Sequence, residues 1–390
     1  MENDRDKMKN KKSKIIVAMS GGVDSSVSAL LLKKAGFNVE GLYMKLPGAD
    51  SGSLRAAKEV AKKLGIKFHA ISMEKKFRRE IIGYFLKSYK RGITPNPCVR
   101  CNQRIKFGEL LKTAEKLGGD YLATGHYIQL AINESKVRLK KPIKLLKAKD
   151  VLKDQSYFLY TLTQKRLNRV MFPLGGMLKE DVKKIAEKAG LPNIKKESQD
   201  ICFLHCDGKA VQHNEFLRKN LKLKPGSIML LEKEINEKTG ERKSVRLTSG
   251  KNPVEHQGLP LYTIGQRREI RIGGTGPYYA ARFDVKKNIL YVVKNFDDPV
   301  LYQDGLNAKG VSWVAGIAPK MPLKCEAVIR YRHAPIKCEV VKKGSSYMVK
   351  FKKPQRAVTP GQSVVFYQGR EVLGGGEITL SKQKIFATIK

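Results

Sequence analysis

A short apolar run that ends in a pair of glycines is the feature that most constrains the fold of this 390-residue chain. Residues 14–20 (KIIVAMS) predict a β-strand, and residues 25–35 carry apolar side chains at helical spacing until Gly36. The same order recurs, with further strands predicted at 39–45, 67–73 and 121–124 and further helices at 54–64, 77–89 and 105–117. Alternating strands and helices predict an α/β fold with a parallel sheet covered on both faces. Ligands in such folds bind at the carboxyl ends of the strands.

The sequence changes character near residue 207, where helical spacing gives way to short alternating runs rich in Pro, Gly and Lys. We therefore predict three domains. Residues 1–207 form the α/β domain, residues 208–303 a β-rich central module, and residues 304–390 a C-terminal β-barrel.

The composition is that of a soluble globular protein, with 41% hydrophobic and 29% charged residues. No apolar run approaches the ~20 residues that a membrane span needs. The first thirteen residues are charged and lack the apolar centre of a secretory signal. Six cysteines in such a chain are expected to be thiols in a reducing compartment rather than a disulfide framework. We expect a cytoplasmic protein that does not bind a membrane.

The chain is strongly basic, with 77 Lys and Arg against 36 Asp and Glu and a formal net charge of +41. Such a field favours a polyanionic partner, and nucleic acid is the usual one. A lysine-biased proteome or an adaptation to salt is the alternative explanation.

The glycine pair lies within SGGVDSS, residues 20–26, between the first predicted strand and helix. Backbone N–H groups and the helix dipole favour an anion there, the serine hydroxyls add donors, and Asp24 can hold a magnesium ion. The loop lacks the Gly-Lys-Ser/Thr end of a Walker A motif, which argues against transfer of a terminal phosphate. An ordinary Gly-Gly turn with serine caps is the structural alternative.

This heptapeptide resembles the PP-loop of the N-type ATP pyrophosphatases, which cleave ATP between its α and β phosphates. The resemblance implies that ATP and Mg²⁺ bind here. The implied nucleotide contacts are Ala18, Met19, Ser20, Gly21, Gly22, Val23, Asp24, Ser25 and Ser26.

Cysteines occur in two further motifs. TPNPCVRCN places Cys98 and Cys101 on a proline-stiffened loop at the start of a predicted helix, whose N-terminus is expected to lower a thiol pKa. SQDICF places Cys202 far along the chain, followed by Cys206. A four-cysteine zinc site is an alternative, but the gap between Cys202 and Cys206 is wider than usual for one.

Nine motifs in order resemble those of the bacterial tRNA-specific 2-thiouridylase (MnmA) family over nearly the whole chain. They are SGGVDSS at 20, GLYMK at 41, TPNPCVRCN at 94, ATGHY at 123, KDQSYFLY at 153, FPLGG at 172, SQDICF at 198, YTIGQR at 262 and AVTPGQSVVFY at 357. The resemblance implies a sulfurtransferase that uses ATP to adenylate the wobble uridine 2-oxygen of tRNA for lysine, glutamate and glutamine. We expect it to be a monomer. Sulfur would come from a persulfide carrier or a cysteine desulfurase.

The family mechanism implies roles for particular residues. Cys202 would carry the persulfide, and Cys101 would release the sulfur by forming a disulfide with it. Met44 and Gly125 would contact the nucleotide. The implied tRNA contacts are Asn96, Pro97, Cys98, His126, Lys153, Asp154, Gln155, Arg330, Tyr331 and Gln362. Each has a structural alternative: Met44 in the core, His126 as a buried hydrogen-bonded histidine, and Arg330 or Lys153 on a generally basic face.

Two positions and one segment depart from the family pattern. Some members have aspartate in place of Cys98, and the set Cys98, Cys101 and Cys202 fits the three-cysteine pattern for which a [4Fe-4S] cluster with an open iron has been suggested. This cluster is the alternative to the persulfide route. The segment after Met44 is short, and Glu269 replaces a usual glycine.

Two rival functions use part of the same sequence. An amide-forming adenylating synthetase would share the PP-loop but would not need Cys101 and Cys202. An RNA-binding scaffold with a structural metal would explain the charge and the cysteines, but it would leave the PP-loop without a role.

Overall fold

A computed structural model describes residues 13–48, 51–131, 142–192, 201–206, 209–210, 212–235, 242–249, 252–268, 270 and 277–379. The departure at Glu269 and the predicted domain ends before residue 13 and after residue 379 lie outside the described residues, and so does the side chain of Cys206.

A parallel sheet forms the centre of the first domain. The strands of this part of the chain are β1 (Lys14–Met19), β2 (Asn38–Lys45), β3 (Lys67–Ser72), β4 (Tyr121–Ala123), β5 (Gln129–Ala131), β6 (Lys144–Leu146) and β7 (Val170–Met171). Five of them pair in the order β3-β2-β1-β4-β7 with all neighbours parallel. Ile15, Ile16 and Val17 are fully buried because helices cover both faces of the sheet, as the apolar run predicts.

The helices of this domain follow the strands. They are α1 (Val23–Lys34), α2 (Ser51–Lys63), α3 (Glu74–Phe77), α4 (Gly83–Lys90), α5 (Pro97–Cys101), α6 (Leu111–Lys116), α7 (Gln164–Leu167) and α8 (Lys179–Lys188). A π-helical stretch, Arg78–Ile82, joins α3 to α4, and another, Asn102–Leu110, joins α5 to α6. Each pair is therefore one continuous helical segment. A 3-10 turn covers Ser156–Phe158.

The central module is a mixed sheet beside one helix, α9 (His213–Asn220). A separate two-stranded hairpin, β8 (His205–Cys206) and β9 (Lys209–Ala210), precedes it. The strands of the module are β10 (Gly226–Ile235), β11 (Arg242–Arg246), β12 (Thr248–Ser249), β13 (Asn252–Pro253), β14 (Glu255–His256), β15 (Tyr279–Asp284) and β16 (Ile289–Val293). The main sheet runs β11-β10-β16-β15, and β14 pairs with β10. Turns of 3-10 helix cover Leu259–Leu261 and Pro299–Leu301.

The C-terminal region is a closed antiparallel barrel. Its strands are β17 (Tyr302–Trp313), β18 (Leu323–Val328), β19 (Ile336–Lys343), β20 (Ser346–Arg356), β21 (Ser363–Gln368) and β22 (Glu371–Thr379). They pair in the order β17-β20-β19-β18-β21-β22, and β17 closes the barrel on β22. The fold class predicted from the sequence is thus confirmed.

The first domain contributes a hairpin to the barrel, which the sequence did not predict. The strands β5 and β6 pair with each other, and β6 pairs with β22. One buried cluster also joins the two domains, since Tyr157 and Tyr160 pack with Val365 and Tyr367. Within the described residues, no helix is long and apolar enough to cross a membrane.

Candidate active site

The glycine pair forms a tight loop between β1 and α1. Gly21 adopts a positive φ of 82°, and a Cβ there would collide with the Ser53 carbonyl. The hydroxyls of Ser25 and Ser26 both donate to the Gly22 carbonyl at 3.0 Å, while the Ser20 amide donates to the Ser25 Oγ at 3.2 Å. These bonds fix the loop at the N-terminus of a twelve-residue helix. An anion is favoured at that point.

Gly125, two residues after the end of the neighbouring strand β4, closes the loop. A Cβ on Gly125 would come within 2.9 Å of the Asp24 side chain and the Ser25 amide, so only glycine permits this approach. Val23 is buried within the helix, as are Ala29 and Leu32. Ala18 and Met19 end β1, and Met44 lies near the end of β2. The predicted nucleotide residues therefore share the carboxyl edge of the sheet, where the fold predicts a ligand.

Sequence analysis missed a lysine at the loop. Lys179 Nζ donates to Asp24 Oδ1 at 2.6 Å, and the Tyr127 hydroxyl donates to the same oxygen at 2.8 Å. Lys179 is 6% exposed, and burial of a cation requires a compensating anion. A signal was present, because Lys179 begins α8, where the helix dipole disfavours a cation.

The predicted thiol motif starts the second long helical segment. The Asn96 side chain accepts from the Val99 amide at 3.3 Å and caps the helix, and the buried Pro97 occupies its first turn. Cys98 is half-buried and Cys101 is buried. The motif therefore orients both thiols through a capped helix start.

Burial, rather than the helix N-terminus, dominates the thiol chemistry. It raises the pKa of Cys98 to about 11, an effect to which Cys202 adds and which the Lys106 ammonium opposes. Burial also raises the pKa of Cys101 far above its ordinary value, and Lys106 again opposes the shift. The expectation of lowered thiol pKa values was wrong, because desolvation of the thiolate outweighs the helix dipole.

Lys106 faces the thiols because the helix changes its winding. In an α-helix a residue five positions on lies about 140° around the axis. A π-helix hydrogen-bonds residues five apart and brings them closer to one face. The π-helical stretch after Cys101 thus turns Lys106 toward the thiols. Sequence periodicity gave no signal for this.

His126 connects Lys106 to the phosphate loop. Lys106 Nζ lies 3.3 Å from His126 Nε2, and Thr124 Oγ1 lies 2.8 Å from His126 Nδ1. Burial lowers the pKa of His126 well below its usual range, and Lys106 lowers it further. The imidazole is therefore neutral and accepts at Nε2 from the ammonium. The residue predicted to face tRNA is buried here, next to Gly125.

Cys202 approaches the helix from a segment that is distant in sequence. Cys202 is exposed as a residue, yet burial raises the pKa of its thiol, and Cys202 in turn adds to the raised pKa values of Cys98 and Cys101. Phe203, the next residue, packs in the same buried cluster as Cys101. The structure thus brings Cys202 near the helix that carries Cys98 and Cys101.

The segment Lys153 to Gln155 supports the site through its own hydrogen bonds. Asp154 Oδ1 accepts from the Ala148 amide at 2.8 Å, and Oδ2 accepts from Ser156 Oγ at 2.6 Å. Burial raises the pKa of Asp154. Gln155 exchanges two bonds with the Tyr127 backbone. The Asp154 and Gln155 side chains thus shape the loop, while Lys153 is half-buried beside it.

The barrel reaches the thiol loop through Gln362. Gln362 Nε2 donates to the carbonyls of Thr94 at 3.1 Å and Pro95 at 3.2 Å. Tyr331 packs on Phe158 with ring centroids 4.4 Å apart, and Arg330 is exposed beside it. Three domains then enclose a cavity of about 300 Å³, lined by Thr94, Thr263, Ile264, Gly265, Gln266, Arg330 and Gln362. The role of Thr263 and Gln266 in this cavity was not predicted.

The thiols and carboxylates near the site differ in their suitability as metal ligands. Throughout the part of the chain that the structure describes, no three His, Cys, Asp or Glu side chains converge as a metal-binding group. As placed, the three thiols therefore do not form a preassembled cluster site. Asp24 does offer a carboxylate at the phosphate loop, which suits the oxygen preference of Mg²⁺.

Comparisons with known proteins cover all three domains. Residues 13–206 match the family described as tRNA methyl transferase HUP domain, residues 214–294 the tRNA methyl transferase PRC-barrel domain, and residues 303–378 the aminomethyltransferase beta-barrel domain. The chain is 42% identical over 377 residues to the tRNA-specific 2-thiouridylase MnmA of Halalkalibacterium halodurans, covering 94% of each chain. It is also 42% identical over 387 residues to the enzyme of that name from Methylococcus capsulatus, covering 95% of this chain and 97% of the relative.

Solved structures give a more distant likeness. The U34-tRNA thiolase NcsA from Methanococcus maripaludis, solved with its [4Fe-4S] cluster, is 19% identical with a TM-score of 0.34. The match covers 52% of this chain and 66% of that one.

Proposed function

The chain belongs to the MnmA family of tRNA-specific 2-thiouridylases, sulfurtransferases that act on tRNA, and we propose that it replaces the 2-oxygen of the wobble uridine with sulfur in two steps, adenylation and persulfide transfer. In the first step the uridine 2-oxygen attacks the α-phosphate of ATP and pyrophosphate leaves. The oxygen then departs as part of AMP when sulfur attacks carbon 2.

The phosphate loop serves the first step. The amides at the start of α1 and the serine hydroxyls bind phosphate oxygens, and Gly125 keeps the neighbouring strand close enough to enclose them. Asp24 would hold the magnesium ion that offsets the charge of the leaving pyrophosphate. Lys179 supplies a second positive charge at this point, next to the same carboxylate.

The cysteines serve the second step. The terminal sulfur of a Cys202 persulfide attacks carbon 2 of the adenylated uridine, and AMP leaves. The Cys101 thiolate then attacks Cys202 Sγ, which releases the 2-thiouridine sulfur and forms a Cys101–Cys202 disulfide. A reductant reopens this disulfide for the next cycle. The exposure of Cys202 suits a residue that must accept sulfur from a carrier protein or a cysteine desulfurase.

One observation carries the proposal: consecutive residues join the phosphate loop to the thiols. Gly125 packs against Asp24 and Ser25, and the next residue, His126, contacts Lys106, whose charge acts on the thiols. A uridine held between the two groups could meet ATP on one side and sulfur on the other. This arrangement favours thiolation over an amide-forming synthetase, which needs no thiols, and over a scaffold, which needs no ATP.

The tRNA would occupy the junction of the three domains. Thr94, Gln266, Arg330 and Gln362 offer hydrogen-bonding groups to an RNA segment, and the charge of +41 attracts its phosphates. We expect tRNAs for lysine, glutamate and glutamine as substrates. We expect the protein to act as a monomer, and a thiol cycle is consistent with the reducing cytoplasm.

Pyrophosphate release from ATP, measured with and without tRNA, tests the proposal. We expect release that depends on tRNA, together with 2-thiouridine in the product when a persulfide donor is supplied. Release that requires an amino donor instead of tRNA would indicate a synthetase, and no release would indicate a scaffold. Loss of 2-thiouridine from the tRNA of cells that lack the protein would give the matching result in vivo.

A further inference from the structure

Two cysteines outside the active site face each other in the C-terminal barrel. Cys325 on β18 lies directly opposite Cys338 on the antiparallel neighbour β19. Their Sγ atoms are 3.7 Å apart. Cys338 is buried in the barrel core, whereas Cys325 is half-buried and can be reached from solvent. None of the thiolation steps uses either residue.

The backbone around the pair already suits a covalent bond. Directly opposed residues of antiparallel strands have Cα atoms about 4.5 to 5.5 Å apart. This range falls within the roughly 4.4 to 6.8 Å seen in disulfides, so rotation of the side chains is enough to bring the sulfurs together. The neighbouring pairs Lys324 with Glu339 and Glu326 with Lys337 continue the same register on both sides. The strands therefore hold the two thiols in place.

We propose that Cys325 and Cys338 form a reversible dithiol–disulfide site, oxidised by low-molecular-weight disulfides. The thiolate of the more accessible Cys325 attacks one sulfur of the oxidant and releases one thiol. The Cys338 thiolate then attacks Cys325 Sγ of the mixed disulfide, which releases the second thiol and leaves the cross-strand disulfide. Two cysteine thiols are oxidised and one small disulfide is reduced to two thiols, so atoms and electrons balance.

Oxidation of the pair would restrain the segment between β18 and β19, which carries Arg330 and Tyr331. Strand β18 ends at Val328, which pairs with Val365 of β21, and Arg330 and Tyr331 follow at once. A covalent link between β18 and β19 ties the two ends of the connection that carries these residues. The disulfide also lowers the conformational entropy of the unfolded chain, and this stabilises the folded barrel relative to it. The inference does not depend on the proposed thiolation chemistry.

The test is a thiol map of the full-length protein after treatment with glutathione disulfide. Trypsin cuts after Lys324, Arg330, Lys337 and Lys342, which places the two cysteines in separate peptides, 325–330 and 338–342. We expect these peptides to be joined by a disulfide after treatment and separate after dithiothreitol. The melting temperature should rise by a few degrees on oxidation and return on reduction.

Cys325→Ser is the matched control. Cys325 is replaced rather than Cys338, because Cys338 is buried and its replacement could disturb the core. This variant should show neither the joined peptide nor the change in melting temperature, while its active-site cysteines still react. Recovery of Cys325 only as a glutathione adduct, with Cys338 free, would overturn the proposal. A cross-link that appears only in denaturant would overturn it as well.

Discussion

The two ends of the active site are built in different ways. The phosphate loop comes from seven consecutive residues that are fixed by their own hydrogen bonds and by two close glycine contacts. The thiol end combines a capped helix start, a π-helical stretch and a cysteine about a hundred residues further along. The first is ready to bind an anion, whereas the second holds protonated thiols that must be activated.

This difference shows how the work of the site is divided. Binding phosphate needs only fixed donors, so a local loop is sufficient. Moving sulfur between residues needs thiols that meet, ionise and separate, and these requirements involve several elements of the fold. Substitutions at the phosphate end should therefore remove activity outright, and those around the two reacting thiols should change its rate and pH dependence.

The largest effect is expected from Asp24→Asn at the phosphate end. The neutral side chain keeps the shape but removes the charge that would hold magnesium and that compensates buried Lys179. Pyrophosphate release should fall by about a hundredfold or more, with tRNA affinity nearly unchanged. Asp181→Asn, on the exposed face of α8, is the control and should behave like the unmodified protein. Normal release by the Asp24 variant would remove that residue from the adenylation step.

A somewhat smaller effect is expected from Lys179→Met. The variant loses a positive charge beside the phosphates but retains the serine and backbone donors, so pyrophosphate release should fall by about ten- to a hundredfold. Lys179→Arg keeps the charge and should recover part of the rate. Equal defects in the two variants, with equal loss of melting temperature, would mean that the lysine serves only the folding of α8.

The sequence was sufficient for the fold class and for the phosphate loop, because both depend on local patterns. The strand, the glycine pair and the helix are adjacent, and the loop geometry follows from them. The hairpin β5–β6 was not predicted as part of the barrel, since its pairing with β22 joins residues far apart in the chain. Sequence spacing carries little information on such contacts.

The thiol end could be predicted only in part. Cys98, Cys101 and Cys202 were chosen by family resemblance, but their protonation was not foreseen, because burial is a property of the folded chain. Lys106 was missed because helical spacing places it away from Cys101, and only the π-helical stretch reverses this. Lys179 is different, since a lysine at the first position of a helix is visible in the sequence.

The pH dependence of sulfur release should show how strongly the Lys106 ammonium lowers the pKa of Cys101. Burial raises the pKa of Cys101, so the thiol is mostly protonated at pH 7, and each unit rise in pH increases the thiolate about tenfold until the pKa is reached. The rate of 2-thiouridine release should therefore rise with pH. Lys106→Met removes the cation that lowers the pKa and should slow release at pH 7 by about tenfold.

Two controls sharpen this comparison. Lys112→Met removes a lysine from the exposed part of the same helical segment and should leave the profile unchanged. Lys106→Arg retains the charge and should restore most of the rate at pH 7. If Lys106→Met and the unmodified protein gave the same profile, the ammonium would have no part in ionising the thiols.

The smallest effect is expected from Cys98→Asp, and it decides between the two routes for sulfur. In the persulfide route Cys98 forms no covalent bond, so the variant, which carries the residue found in other family members, should lose no more than a few-fold in thiolation. A cluster held by Cys98, Cys101 and Cys202 would instead lose a thiolate ligand and gain a harder carboxylate, which should weaken the iron site.

The unmodified protein and the Cys98→Asp variant are purified without oxygen, their iron and acid-labile sulfide are measured, and 2-thiouridine is assayed with a persulfide donor. Cys325→Ser is the control. It replaces a cysteine outside the active site and should match the unmodified protein in both measurements; Cys338 is not used because its thiol is buried. Full activity in iron-free protein would exclude an obligatory cluster, and activity that follows iron content through both variants would exclude the persulfide relay.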